Sequence, residues 1–460
     1  MRHLTRWLVL LLAFAMVAAA CSQGDDGEST DDTEATETTE APDDGDTTET
    51  TEEMTDDTEG DDGDMMELAT DFGVDTEAQT ITVGLLSDLT GPFAPLVSAI
   101  AEGIRVYWED VNANGGINGY TVVLDVVDTA YVVDTHVQLY DEMRERVAAI
   151  QHSTGSPHTV AILEQLAEDD MLAIPLTWYS GWSDPALNAN LLSHGSPYCL
   201  ESMNGISYIS EKEGATTIAI ASSTGDYGLD GAAGAALAAE ALGLEVVYDG
   251  SGQIISGDET TYAAVANGIV ESGADMVWVT TTPGNMSAVY GQAIAQGFEA
   301  VWGGNSPNWS PAFVGPDSPI RDAIARDYYV STYVTPWFDP ATDEVRALVE
   351  QYSEAPPADY YTEGFVEAKI LHEALLVAYD NGDWTRSGIL AAAKSLESVD
   401  FGPYAASESY VGEPNERVQR QSFIGHATTE GVEEGTSTGW VLEEAFFTAD
   451  ITANFEFTEA

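Results

Sequence analysis

The chain has 460 residues, 79 of them Asp or Glu against 14 Lys or Arg, with 2 Cys and a formal net charge of −65. That charge repels nucleic acid and anionic membrane surfaces, and two cysteines exclude a disulfide framework. A hydrophobic fraction of 44% and an aromatic fraction of 9% suit a chain that buries a core, and the length suggests about two or three domains.

Met1 to Ala20 carries Arg2 and Arg6, then the apolar run Trp7 to Val17, then three small residues before Cys21. The apolar run is shorter than the roughly 20 residues that span a bilayer, so it reads as a secretion signal. Ala18-Ala19-Ala20-Cys21 resembles a bacterial lipoprotein signal, in which the cysteine becomes the lipidated first residue; an alanine stands where leucine is usual. This predicts a chain outside the cytoplasm, held to the outer face of the cell membrane by lipid on Cys21.

Ser22 to Asp64 is almost wholly Asp, Glu, Thr and Gly, without a basic residue. Nothing in it offsets the entropy of ordering, so residues 21–79 are expected to form an extended, self-repelling tether. A coil of about 60 residues spans on the order of 40 Å, and like charge stretches it further. Beyond Asp64 there remain 59 acids against 12 basic residues, with Lys212, Lys369 and Lys394 the only lysines of the chain. Such an excess repels itself until salt screens it, which predicts a salt-adapted protein.

From Thr80 onward short β-rich runs alternate with helical spacing. Ile81 to Leu86 predicts a buried strand, and Leu96, Ile100, Ile104, Tyr107 and Val111 mark one helix face over Leu96 to Asn112. Asn114-Gly115-Gly116 stops that helix. Strands follow at Val122 to Val127, Ala148 to Gln151 and Leu172 to Leu176, with helices at Thr135 to Arg146 and Thr159 to Asp169. The rhythm restarts with strands at Ile218 to Ala221, Glu245 to Tyr248, Met276 to Thr280 and Ala300 to Gly303, and helices at Gly228 to Leu242, Tyr262 to Glu271 and Asn285 to Gln296. Two such series predict an α/β protein of two doubly wound parallel-sheet lobes. Ligands of such sheets bind beyond the carboxyl ends of the strands, so the loops after Leu86, Gln151, Leu176, Ala221, Thr280 and Gly303 are the candidates.

Gly228, Gly231 and Gly234 open a helix after a strand, but G-x-x-G-x-x-G is not the dinucleotide spacing; small residues that let a helix approach a sheet explain them better. His372-Glu373 lacks a second zincin histidine, and His136, His152, His158 and His194 have no metal-ligand spacing and read as surface or loop histidines. No nucleophile elbow, Walker loop or Cys/His cluster occurs, so neither an enzyme, a metal nor a cofactor is expected. Cys199 reads as a buried, inert thiol. Hydroxyl and aromatic residues gather in the candidate loops: Ser153, Thr154, Ser156 and Thr159, then Thr177, Trp178, Tyr179 and Trp182, then Tyr227, Thr280 to Thr282, Asn305 and Trp309. An apolar pocket with a few convergent polar groups is what a small-molecule site needs.

Leu86-Ser-Asp-Leu-Thr-Gly-Pro-Phe93, Asp110-Val-Asn-Ala-Asn-Gly-Gly-Ile-Asn-Gly119, Asp226-Tyr227-Gly228 and Gly412-Glu-Pro-Asn-Glu-Arg417 together resemble the branched-chain amino-acid (Leu/Ile/Val) type of extracellular solute-binding protein. The likeness runs from about Thr80 to about Thr428. It implies a type I periplasmic binding protein: two lobes joined by a three-strand hinge, one of 80–198 with 332–405 and the other of 199–331 with 406–460. It also implies delivery of a small-molecule ligand to importer permease subunits with a cytoplasmic ATPase; a sensory receptor acting through a signalling partner is the other reading.

Carried over residue by residue, the resemblance places ligand contacts at Ser156 and Thr159, where hydroxyls and a helix start hold a carboxylate, at Thr177 and Tyr179, and at Tyr227 of the second lobe. Two positions depart from the family. Asn305 stands where amino-acid binders carry a glutamate for the ligand ammonium, and Thr282 replaces a tyrosine. Burying an ammonium without an anion costs several kcal/mol. The expected ligand is therefore an amino acid whose charge is met by Asp226 or Glu201, or else an amide or related carboxylate.

Overall fold

A computed structural model of the protein describes residues 68–457. The secretion signal, Cys21 and the acidic run to Asp64 lie outside them.

The first sheet is built on β3 (Thr80–Ser87), whose Ile81, Val83, Leu85 and Leu86 are fully buried because both faces of the strand are covered. It pairs in parallel with β4 (Thr121–Asp128) on one side and β5 (Ala149–Thr154) on the other, and β5 pairs with β6 (Ala173–Leu176). The order is β4-β3-β5-β6, with β2 (Val74–Asp75) antiparallel along the start of β3. Ahead of it, β1 (Ala69–Thr70) pairs in parallel with β12 (Asp383–Trp384). The crossovers are α1 (Ala94–Ala113), α2 (Val133–Met143) and α3 (Ser156–Glu168).

After the one-turn helix α4 (Pro185–Asn188), α5 (Tyr198–Glu213) leads into the second sheet. Its strands β7 (Thr217–Ser223), β8 (Glu245–Ile254), β9 (Met276–Thr280), β10 (Val301–Gly304) and β11 (Tyr328–Thr332) are parallel, joined by α6 (Gly225–Leu242), α7 (Glu259–Ser272), α8 (Pro283–Ala295) and α9 (Arg321–Asp327). The order is β8-β7-β9-β10-β11, extended by β13 (Ser422–Ala427) and β14 (Trp440–Phe447). These last two pair antiparallel, so the second sheet is mixed rather than purely parallel as the alternation implied. They follow a long return of the chain through α10 (Asp343–Tyr352), α11 (Tyr361–Asp380) and α12 (Arg386–Ala393), and no crossover helix forces them parallel.

The return is what ties the protein together. Helix α11 buries residues all round and crosses α1 at two glycines: a Cβ on Gly364 would stand 2.2 Å from the Ile100 carbonyl oxygen, and one on Gly103 2.5 Å from that of Tyr361. Backbones approach this closely only where no side chain intervenes. In all, the chain passes between the sheets three times, after β6, after β11 and after α12. The second and third passages pair through an antiparallel bridge, Val334 to Ala405.

Gly231 does what the sequence suggests, since a Cβ there would meet Thr280 Oγ1 at 2.4 Å where α6 lies on β9. Cys199 is fully buried. The histidines differ from expectation: His136, His152, His158 and His194 are all 3% exposed or less. They were legible only as loop residues, and the α/β layers close over them. Among the described residues no helix is long and apolar enough to cross a membrane.

Candidate ligand cleft

The carboxyl ends of both sheets face one another, and a cavity of about 320 Å³, its open mouth included, lies between them. Each wall residue comes from a loop or helix start that follows a strand. Phe93 ends the loop after β3, where the buried Asp88 fixes the turn by accepting the N–H groups of Gly91 at 2.6 Å and Phe93 at 2.8 Å. Leu96 and Val97 follow on α1. Tyr131 comes from the loop after β4, Thr154 and Gly155 from the end of β5, and Leu176 and Trp178 from that of β6. Tyr198 comes from the first passage between the sheets, at the start of α5, and the second lobe's side is Tyr227 in the first turn of α6 and Pro307 after β10.

Rings dominate this wall. Phe93 meets Tyr131 edge-on with centroids 4.9 Å apart, Tyr198 lies 4.5 Å from Tyr227, and Phe93 reaches across to Tyr227 at 6.2 Å. Trp178 is held by stacking on Tyr333 of the second passage at 4.1 Å. No charged side chain lines the cavity among the described residues.

Polar groups stand just behind the rings. Gly155, at φ +99°, turns the chain from β5 into α3; a Cβ there would meet Tyr131 Cε2 at 2.7 Å and His158 Nδ1 at 2.6 Å. Neither α3 nor α6 has a side-chain cap at its amino end, so free backbone N–H groups and the positive ends of two helix dipoles border the cavity from opposite sides. Ser156 hydrogen-bonds Thr177 through their hydroxyls, and the Tyr198 hydroxyl joins Thr177 in turn. The result is a short rail of hydroxyls beside the α3 amino terminus, an arrangement that can hold a carboxylate or a carbonyl oxygen.

Of the sequence-predicted site residues, Tyr227 lines the cavity directly and donates its hydroxyl to the Thr281 carbonyl at 3.0 Å. Ser156 and Thr177 form the hydroxyl rail. Thr159 lies deeper in the first lobe, bonded to Ser153 Oγ at 2.8 Å. Tyr179 lines a neighbouring crevice with Trp182. Thr282 caps α8 through the Asn285 N–H, outside the cavity wall. Asn305 is buried behind the wall, donating to Glu201 Oε2 at 2.9 Å and to the Tyr198 carbonyl at 3.0 Å while accepting from Thr280 at 2.6 Å. Glu201 also accepts the Ser306 N–H at 2.8 Å, and burial pushes its carboxyl up to about 8 despite these donors. Both its oxygens are engaged, and it does not face the cavity.

Tyr131 and Tyr198 escaped the sequence reading. Tyr131 sits at φ +56° in the loop after β4, a strand whose end belongs to the same series as the others. Counting every strand end would have included it. Tyr198 lies on a passage between lobes, where periodicity gives no signal.

The lobes also touch each other directly. Ser180 of the first donates its backbone N–H to Asp230 of the second at 3.0 Å, and Tyr360 donates its hydroxyl to the Ser306 carbonyl at 2.8 Å. Asp359 accepts from the Trp337 N–H at 2.8 Å and, in the second lobe, from Thr438 at 2.5 Å and Trp440 Nε1 at 3.0 Å.

A family described as periplasmic binding protein matches residues 80–431. The chain belongs to this family. The family is one of solute-binding receptors and not of enzymes, and its type I fold is the one described above. Among curated proteins, Leu/Ile/Val-binding protein homolog 7 of Brucella abortus (strain 2308) is 24% identical over 393 residues, covering 79% of this chain and 92% of its own. The Brucella melitensis protein of the same name is 24% identical over 389 residues, covering 78% and 92%. Among solved structures, a fatty acid ABC transporter substrate-binding protein from Thermomonospora curvata superposes with a TM-score of 0.76 at 25% identity, over 85% of this chain and 98% of its own. A branched-chain amino acid ABC transporter protein from Thermus thermophilus, solved with bound valine, gives a TM-score of 0.69 at 17% identity, over 81% and 98%.

Proposed function

We propose that this protein is a lipid-anchored, extracytoplasmic receptor that captures a small molecule with an apolar body and one carboxylate or amide, and delivers it to the permease of an ATP-driven importer. The lobes are taken as 80–198 with 332–405 and 199–331 with 406–460, closing on the ligand by a hinge. The observation that carries the ligand class is the cavity wall: aromatic and aliphatic side chains with no charge among them, beside hydroxyls and an uncapped helix start. An α-amino acid brings an ammonium that this wall does not neutralise, and Asn305 and Glu201 are engaged with each other behind it. A carboxylate meets the α3 amino terminus at Gly155, with the Ser156–Thr177 hydroxyls buried behind it, and its apolar part meets Phe93, Tyr131, Trp178 and Tyr227. The Thermomonospora relative, named for a fatty acid, supports an apolar acid; the Brucella names support an amino acid.

A thermal-shift screen in molar salt separates the two. Short aliphatic acids, aromatic acids and their amides should raise the melting temperature, and α-amino acids should not. Stabilisation by branched-chain amino acids alone would overturn the ligand class while leaving the receptor reading standing. Turnover of any ligand would overturn both.

A further inference from the structure

Away from the cleft, three acidic side chains converge on one imidazole. His194 lies in the first passage between the lobes, and its Nδ1 stands 3.1 Å from Glu363 Oε1 and its Nε2 3.8 Å from Glu367 Oε1. The two glutamates are one turn apart on α11 and so share a face. All three residues are 3% exposed or less. Glu363 Oε1 pairs with His194 Nδ1, but His194 Nε2 and Glu367 Oε1, too far apart for a hydrogen bond to each other, have no partner. Glu408, on the third passage, is anchored next to them by accepting the Gly195 N–H at 2.7 Å. Buried polar atoms are normally paired, and two orphans facing each other beside a third donor point to something that binds them together.

We propose that His194, Glu363 and Glu367 form a binding site for one divalent cation of the zinc or manganese class. One imidazole and two carboxylates are a donor set suited to those ions. Ligands about 2.1 Å from a common ion stand roughly 3 to 4 Å apart, and one donor atom from each residue lies within 4.8 Å of the others, so side-chain adjustment closes the set. A second layer is already built: Glu367 turns its other oxygen to His152 Nδ1 at 2.7 Å, and His152 Nε2 meets Thr154 Oγ1 at 2.7 Å. Partners of this kind orient ligating carboxylates. A narrow crevice lined by His194, Glu363, Tyr333, Ala405 and Glu408 borders the set. The ion would fasten the first passage to α11 of the first lobe. The sequence hides this set because its histidine is separated by more than 160 residues from its glutamates.

The test uses the full-length chain, stripped with EDTA and kept in molar KCl so that weak binding to the acidic run is screened out. After addition of Zn²⁺ or Mn²⁺ and desalting in the same salt, elemental analysis should find one equivalent per chain, with a rise of several degrees in melting temperature. Glu363→Gln with Glu367→Gln should weaken that affinity at least 100-fold. No retained metal and no thermal shift in the wild-type chain would overturn the proposal, as would undiminished retention by the double variant. Should that variant fail to fold, Co²⁺ added to the wild-type chain decides: a visible spectrum altered from that of the hydrated ion and abolished by equimolar Zn²⁺ supports the site, and a spectrum identical to the hydrated ion overturns it.

Discussion

Asp230, on the second lobe, accepts the backbone N–H of Ser180, on the first, at 3.0 Å, with the aspartate 6% exposed. This bond exists only while the lobes are together, so it contributes to closure rather than to the folding of either lobe. Removing the acceptor with Asp230→Ala should shift the lobes toward the open state and raise the dissociation constant of the captured ligand about tenfold, equivalent to about 1.4 kcal/mol. Asp230→Asn keeps an acceptor and should lose much less. Calorimetric titration of both variants checks this; equal affinity in Asp230→Ala would remove the contact from the closing mechanism.

Three buried carboxyls set a pH dependence of unusual sign. Burial raises Glu201 to about 8, Asp230 to about 7 and Asp359 to about 6. Because the folded state holds these protons more tightly than the unfolded chain, their stabilising contribution is fully present below pH about 4 and is lost as pH rises through about 6, 7 and 8. Each group contributes roughly 3–5 kcal/mol across that window. Melting temperature should therefore fall between pH 5 and pH 8.5 in molar salt. A curve that rises over that range would show these carboxyls ionised in the folded state. Glu201→Gln and Asp359→Asn, which remove the titrating group and keep its shape, should flatten the slope.

Gly155 is required twice over, by its φ of +99° and by the Tyr131 and His158 rings that a Cβ would strike. Gly155→Ala should destabilise the protein by about 1–3 kcal/mol and tilt Tyr131, a cavity residue, so ligand affinity falls as well. Denaturant unfolding and ligand titration of the variant measure the two effects separately. Wild-type stability in Gly155→Ala would mean that the β5 to α3 turn relaxes freely.

Self-repulsion of the acidic surface predicts a steep salt response. The Debye length falls from about 10 Å at 0.1 M to about 3 Å at 1 M, which removes most repulsion between exposed carboxylates. The few surface ion pairs, such as Arg146 to Asp125 at 2.5 Å, are too exposed to set the balance. Calorimetric scans from 0.1 to 2 M KCl should show the melting temperature rising by well over 10 °C, and a flat response would end the salt-adapted reading.

What the sequence by itself determined was the alternation of strand and helix, and with it the α/β layers and the end of each sheet at which the cleft lies. Those follow from local periodicity, because a residue's neighbours three, four or two places away are the same whatever the rest of the chain does. It also placed Tyr227, Ser156 and Thr177 near the cleft, since they fall at strand ends. Tertiary structure alone decided the rest. Asn305 could be placed at the site by resemblance, but its pairing with Glu201, 104 residues away, turns it from the cavity. Tyr198 becomes a wall residue only because the chain passes between the lobes there. The burial of His152 and the convergence of His194 with Glu363 and Glu367 depend on where α11 returns. Nothing local in the chain records those distances, because they are set by how two lobes and three passages pack.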